Sequence, residues 1–384
     1  MKTITQSMCG VIPSYMLSRI GSTDQGDDAR ATLQLTRELA SRRAQSLIHE
    51  AAPRPKEVHK QCNVHDAQGG DVLPGPLVVS EDAPDGGDPV ARQAFDATSA
   101  FWDLLRLFGR NSLDRRGYPL DVTVHYGTRF QNAIWNGAQV VCGDGDGLHF
   151  TSFTTPDIIG HEFGHGIAQF NSGMNYYGET GAVNEHLADV AGTLVKQYLL
   201  GQTVDQADWL IGAGVLGPGI KGQGLRSLAA PGTAYADDRL GRDRQPSHVK
   251  DYVETTEDNG GVHINSGILN HAFYRACMAR GGRSWEGVGR IWFHTMVEGL
   301  PNQPTFFDLA VNTVAMAGEL YGPGSGYDWI IADAWAQVGI IVALDDVTNG
   351  RPSPWPLGAT PRPRWRQSPA RRSSRPSDKR NRNK

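Results

Sequence analysis

Cysteine is scarce in this chain of 384 residues: Cys9, Cys62, Cys142 and Cys277 are scattered, with no Cys-x-x-Cys pair. That argues against a disulfide scaffold and makes free thiols the expectation, compatible with a reducing compartment. Long apolar runs are also missing. The N-terminal MKTITQSMCGVIPSYML has no apolar signal-peptide core. The greasiest late stretch, Trp329 to Leu344, contains Asp333 and is too short to span a bilayer, so no membrane partner is expected. No internal repeat is present. Charge of one sign is lacking in the whole chain but not in its parts. Arg351 to Lys384 holds 11 Lys/Arg and one acid, which leaves 26 basic and 40 acidic residues before it. The body is acidic and the tail basic.

What is present fits a soluble globular protein, with 39% hydrophobic and 20% charged residues. The 46 glycines and 22 prolines imply many turns rather than a helical bundle. Composition divides the chain in four. Residues 1 to about 55 hold a short motif and an Ala/Arg/Leu-rich helical stretch from Asp28 to His49, broken at AAPRPKE. Residues 56–155 mix turns with alternating runs such as Leu120 to Tyr126, read as strands, and one helical pattern from Ala91 to Phe108. Residues 156–345 read as mostly helix. Residues 346–384, rich in Pro, Ser and Arg, read as a solvated disordered tail for which no nucleic-acid partner is expected.

The chemistry is concentrated in Pro156 to Phe170, which contains His161-Glu162-Phe-Gly-His165. Two histidines four apart project from one face of a helix and can meet one zinc ion. Glu162 leans to the side of that metal, where a general base would reach a water. Gly164 leaves room for a close neighbour. A catalytic zinc needs a third ligand. Glu185 supplies it from a second helix marked by Val183, Leu187, Val190 and Leu194, with Thr180 as expected N-cap. Asp189, one turn on, is placed to take the second ring N–H of a ligating histidine. His263 follows a glycine turn in Asp258-Asn-Gly-Gly-Val-His263 and suits an oxyanion-stabilising donor, its ring held by Asp258. Arg226 is placed to bond a substrate carbonyl. His186, His149, His248, His271 and His294 are read as core or surface histidines without a site role. Cys9 is read as a surface thiol, with a zinc-binding latch as the sharper alternative.

These motifs together resemble the thermolysin-like neutral metallopeptidases, and within them the protealysin branch. The resemblance runs from about residue 100 to 342, with a weaker match at Ile12-Pro-Ser-Tyr-Met-Leu17, where Ser14 replaces a second proline. It implies an α+β fold of two lobes, strand-rich then helical, with the zinc in the cleft between them and the helix 156–170 as the bridge. It implies His161, His165 and Glu185 as ligands, Glu162 as base, and His263, Tyr176 and Arg226 as groups that assist the oxyanion and the substrate carbonyl. Asn184 and Asp189 would support the ligands. Asn132 and Ala133 would bond substrate backbone by strand addition. Ile158, Ile211, Val215 and Leu225 would line the pocket for the residue after the scissile bond, so an apolar residue is expected there. The first 55 residues would be an inhibitory propeptide, removed by the enzyme itself. A monomer is expected, and secretion follows from the resemblance, although a cytoplasmic precursor stays open without a signal peptide. The family's paired calcium site is expected to be absent: Asp157 and Asp208 match, but Lys196, Leu210 and Ala213 replace three acids. Gly143 to Gly147 is read as a tight turn. The competing readings are a peptide-binding protein without catalysis, a docking protein that uses the tail, and an aminopeptidase.

Overall fold

In a computed structural model, the structure describes residues 10–46 and 60–343, and of residues 41–46 only the backbone. Cys9, the expected end of a propeptide near residue 55 and the expected tail 346–384 lie outside the described residues. No helix among the described residues is long and apolar enough to cross a membrane.

The first lobe is built on a mixed five-stranded sheet. Its strands are β1 (Cys62–Asp66), β2 (Leu77–Ser80), β3 (Leu120–Val124), β4 (Ala133–Trp135) and β5 (Val140–Cys142), in the order β2-β1-β3-β5-β4. β1, β3 and β5 run parallel, and the outer strands β2 and β4 pair antiparallel. β4 is therefore an edge. Helix α3 (Pro89–Leu107) covers one face. It forms where expected because Asp88 accepts the N–H groups of Val90 and Ala91, both at 3.1 Å, and Pro89 opens the first turn. Its Ala94, Phe95, Phe101, Leu104 and Leu105 are buried.

Ahead of the sheet come α1 (Ser14–Gly21) and α2 (Asp27–Ser46). Leu35 and Leu39 of α2 pack with Tyr126, Phe130, Ile134 and Val141, on the sheet face away from α3. The Arg129 guanidinium meets the Asp28 carboxylate at 2.6 Å.

The second lobe is helical: α4 (Pro156–Asn171), α5 (Gly178–Leu199), α6 (Asp258–Arg280), α7 (Val288–His294), α8 (Phe306–Tyr321) and α9 (Tyr327–Gln337). Short two-stranded ribbons fill the connection before α6: β6 (Leu210–Ile211) with β7 (Arg226–Ser227), and β8 (Ala236–Asp237) with β9 (Gly241–Arg242). α8 starts on a reciprocal cap, with Thr305 and Asp308 each accepting the other's backbone N–H.

α4 joins the lobes. It is buried from Asp157 to Ala168, and Phe163 stacks on Phe101 of α3 at 5.0 Å. On its other side α5 crosses at very short range, because the contact is lined by atoms that are missing. A Cβ on Gly164 would stand 2.8 Å from Ala188 Cα, and one on Gly160 2.9 Å from Gly192 Cα. The helical stretches expected at 28–49 and 91–108 are found as α2, described as far as Ser46, and α3, one or two residues offset at their starts; residues 47–49 lie outside the described residues. The Thr180 cap is a correction. α5 begins at Gly178, whose φ of 58° turns the extended Tyr177 into the helix, so Thr180 lies inside the first turn.

Candidate active site

The close crossing of α4 and α5 brings three side chains to one point. His165 Nε2 lies 3.1 Å from His161 Nε2 and 3.4 Å from Glu185 Oε1, and His161 Nε2 lies 3.6 Å from Glu185 Oε2. Four ligands about 2.0–2.1 Å from a tetrahedral zinc stand roughly 3.3 Å apart, so the triangle has the right size. The protonation pattern also fits. His161 Nδ1 faces Asp189 Oδ1 at 2.9 Å and His165 Nδ1 faces Asn184 Oδ1 at 2.9 Å. Each ring thus turns its Nδ1 outward to an oxygen and its Nε2 inward, beside a carboxylate. Glu185 Oε2 is buried and receives no hydrogen bond among the described residues. Lone pairs converging in a buried site fit a cation and little else. Among the described residues this is the one group of three His, Cys, Asp or Glu side chains placed to share an ion.

Electrostatics agree. Burial alone would raise the Glu185 carboxyl, but His263, His165 and His161 outweigh it and hold it below its usual range. Asp189, fully buried, is held far below the carboxylate range: burial opposes this, and the Arg226 guanidinium and His161 prevail. Arg226 grips it with Nε and Nη2 at 2.9 and 2.8 Å. Glu162 is pushed well above the usual range, first by burial, with the Trp135 N–H that it accepts at 2.6 Å pulling the other way. A carboxyl raised in this way sits nearer neutrality, where a proton acceptor and donor is most useful.

His263 owes its place to backbone shape. Asp258, Asn259, Gly260 and Gly261 all have positive φ, from 51° to 84°, and this left-handed turn folds the Asp258 carboxylate back over the first helical residues of α6. Asp258 then accepts His263 Nδ1–H at 2.7 Å and the His263 backbone N–H at 2.8 Å. Burial works against a charged ring, yet Glu185 and Asp258 raise the His263 pKa above its usual value. Nε2 of that ring lies 3.2 Å from Glu185 Oε2. Tyr176 reaches the same carboxylate and donates its hydroxyl to Glu185 Oε1.

The cleft beside this cluster contains the chain's own N-terminal segment. Val11 N–H donates to the Ala133 carbonyl at 3.1 Å, and Ile12 N–H to Asn132 Oδ1 at 2.9 Å. Arg226 Nη1 donates to the Val11 carbonyl at 2.9 Å. The structure thus brings Asn132, Ala133 and Arg226 together on one short stretch of peptide, residues 11 and 12. Ile158, Ile211, Val215 and Leu225 are all buried, in the same continuous core as Val11, Ile12, Met16 and Leu17.

Other expectations find clear outcomes. Lys196 Nζ bonds Asp208 at 2.7 Å and the Leu210 carbonyl at 3.1 Å, and stands 3.6 Å from Asp157. In the Gly143 to Gly147 turn, Asp146 accepts the N–H groups of Leu148, His149 and Phe150. Cys62, Cys142 and Cys277 are free and buried. Sequence reasoning misses Trp135 as donor to Glu162, and the partners of His186, namely Asn270 and Trp292. Asn270 sits seven residues after His263, two turns along one face of α6, and that spacing is a usable signal.

Comparison with known proteins agrees with this geometry. The family model described as "Thermolysin metallopeptidase, catalytic domain" matches residues 56–169, and "Thermolysin metallopeptidase, alpha-helical domain" matches residues 172–340. An "Extracellular metalloprotease" of Pectobacterium carotovorum subsp. carotovorum is 46% identical over 350 residues, covering 88% of this chain and 98% of that protein. "Protease PrtS" of Photorhabdus sp. is 39% identical over 348 residues, covering 88% and 93%. Among solved structures, "Precursor of Protealysin, Metalloproteinase from Serratia proteamaculans" aligns with a TM-score of 0.77 at 44% identity, covering 86% of this chain and 99% of that one.

Proposed function

The chain belongs to the thermolysin family of zinc metalloendopeptidases, and we propose that it is a secreted, self-processed precursor that cleaves peptide bonds before apolar residues. The observation that carries the reading is the convergence of His161, His165 and Glu185 on one buried point, with Asp189 and Asn184 fixing the two rings from behind. These three residues would hold the zinc. When bound, zinc supplies Lewis-acid polarisation of a carbonyl and lowers the pKa of a water.

The chain's own residues do the rest. Glu162 takes the proton from the attacking water and delivers it to the leaving amine. His263, its ring held by Asp258, and Tyr176 donate to the oxygen on which negative charge develops. Arg226 donates to a substrate carbonyl as it does to Val11 O, and Asn132 and Ala133 hold the substrate main chain as they hold residues 11 and 12. Ile158, Ile211, Val215 and Leu225 take the side chain after the scissile bond, which favours Leu, Ile, Val or Phe. Residues 1–55 act as the inhibitory propeptide, 56–155 as the strand-rich lobe and 156–345 as the helical lobe. The precursor works as a monomer.

Lys196 takes the place of a paired calcium site by neutralising Asp157 and Asp208. Millimolar calcium should therefore leave the thermal midpoint unmoved, and a clear rise would overturn this point.

The deciding experiment expresses wild type beside Glu162→Ala, each with and without a chelator, and follows chain length and casein hydrolysis. Wild type should shorten and digest casein only with metal, and Glu162→Ala should do neither. If both are processed and both digest casein, Glu162 is not the base. A peptide panel that favours charged residues after the cut would refute the pocket assignment.

A further inference from the structure

Behind the metal-facing residues runs a line of buried polar side chains that the mechanism above leaves unused. Trp292 Nε1–H donates to His186 Nε2 at 2.8 Å. His186 Nδ1 meets Asn270 Oδ1 at 2.8 Å. Asn270 Nδ2–H donates to Asp189 Oδ2 at 2.9 Å. Asp189 Oδ1 lies 2.9 Å from His161 Nδ1. The line crosses from α7 to α5, α6, back to α5 and on to α4. All five residues have zero exposure.

Its direction is set from the far end. An indole nitrogen can only donate, so His186 Nε2 must accept and the ring proton sits on Nδ1. That proton needs an acceptor, so the Asn270 amide turns its oxygen to His186 and its NH2 to Asp189. The Asp189 oxygen that this leaves faces His161 Nδ1 at 2.9 Å, and a proton held there leaves His161 Nε2 bare. Turning any one link round sets two donors or two acceptors face to face in a dry core.

Arg226 also holds Asp189, but from the cleft side, where its Nη1 reaches whatever peptide lies there, at present Val11. The Trp292–His186–Asn270 line approaches from the closed side, which a substrate does not touch. We infer that His186 and Asn270, oriented by Trp292, are positioning residues that hold Asp189, and through it the ligating nitrogen of His161, independently of what occupies the cleft. The inference rests on the metal reading above. The bland alternative is a set of core polar groups that merely satisfy one another, like Ser284 Oγ and Gln197 Oε1 at 2.6 Å, which are also buried but end on no ligand.

The test uses the full chain. Zinc affinity is measured by competition with a chromophoric chelator, and ligand geometry by the visible spectrum of the Co²⁺-loaded protein. Loss of an outer partner of a ligating histidine typically costs 10–100-fold in metal affinity. Asn270→Leu and His186→Phe should lose about that much and alter the cobalt spectrum, with kcat falling and KM little changed. Trp292→Phe keeps the packing and should lose severalfold, so it decides the matter if the other two fail to fold. Ser284→Ala should leave affinity and spectrum unchanged. A folded Asn270→Leu or Trp292→Phe with wild-type zinc affinity and cobalt spectrum overturns the inference. A second readout needs no metal: imidazole ¹⁵N shifts should place the His186 proton on Nδ1, and a proton on Nε2 would also overturn it. A wild type that takes up no zinc sinks the metal reading instead, while the His186 tautomer still judges the line.

Discussion

Two regions of this protein set imidazoles against carboxylates, and they differ chiefly in water. At the buried centre, His161, Glu185, Asp189, Asp258 and His263 all have relative exposures of 5% or less. On the rim of the sheet, His125 stands between Asp88 and Asp144, at 2.8 Å from each, with both carboxylates more than a third exposed. The short distances are alike, and their worth is not. In the dry site each contact acts at low dielectric and an orphaned charge has no solvent to turn to. On the rim, solvent screens the pair and can replace it. The inner contacts therefore set chemistry, and the outer ones trim stability. The Lys196 cluster lies between, with Asp157 buried and Asp208 open.

That contrast can be broken from its strong end. Asp258→Asn keeps a residue that tolerates the left-handed backbone but removes the charge behind His263. Steady-state kinetics on a peptide substrate should show kcat lower by about 10²-fold with KM little changed. A variant within a factor of three of wild type would mean that His263 needs no such support. Lys196→Met comes next. It leaves the buried Asp157 with hydrogen bonds but no countercharge, and denaturant unfolding should register a loss of about 3 kcal/mol. A loss under about 0.5 kcal/mol would place this cluster with the surface pairs.

His125→Gln is the smallest effect and the one with a pH signature. Burial tends to lower the His125 pKa, but the bonds to Asp88 and Asp144 prevail and raise it. Its contribution is then complete below its ordinary value near 6.5 and fades as pH climbs through the raised one. Asp88 shows the mirror behaviour. Burial raises it, His125 and the N–H groups of Val90 and Ala91 lower it more, and its share is lost only as pH falls through the depressed value. Denaturant midpoints should therefore separate wild type from His125→Gln by at most about 1 kcal/mol at pH 5.5, and by less at pH 8.5. An equal gap at both values would show that His125 does not titrate with folding.

The same division governs how much of the site is legible in the amino-acid sequence. His161, Glu162 and His165 lie within one helical turn, and Glu185 with Asp189 within another, so local periodicity alone fixes which way they point. The Asp258 turn is legible through its glycines. The Tyr176 bond to Glu185, the Trp135 N–H on Glu162 and the Arg226 bond to Val11 are not, since they join segments 9, 27 and 215 residues apart that meet only after folding. Thr180 misleads because a threonine before an apolar run resembles a cap, while Gly178 has already turned the chain into the helix. His186 reads as an ordinary core histidine because its neighbours Asn270 and Trp292 come from other helices.

The empty space at Gly164 has a further meaning. With 2.8 Å between Ala188 Cα and a carbon placed there, the helix bearing His161 and His165 is gauged against the helix bearing Glu185 by hydrogen atoms alone. Gly164→Ala would thus push Glu185 outward without altering a ligand, enlarging the hole that the ion must fill. Zinc, with bonds near 2.0–2.1 Å, would be held less well, and calorimetric titration should find the balance tipped toward ions of longer bond length. On that outcome, selectivity for the metal would be set by a residue that has no side chain.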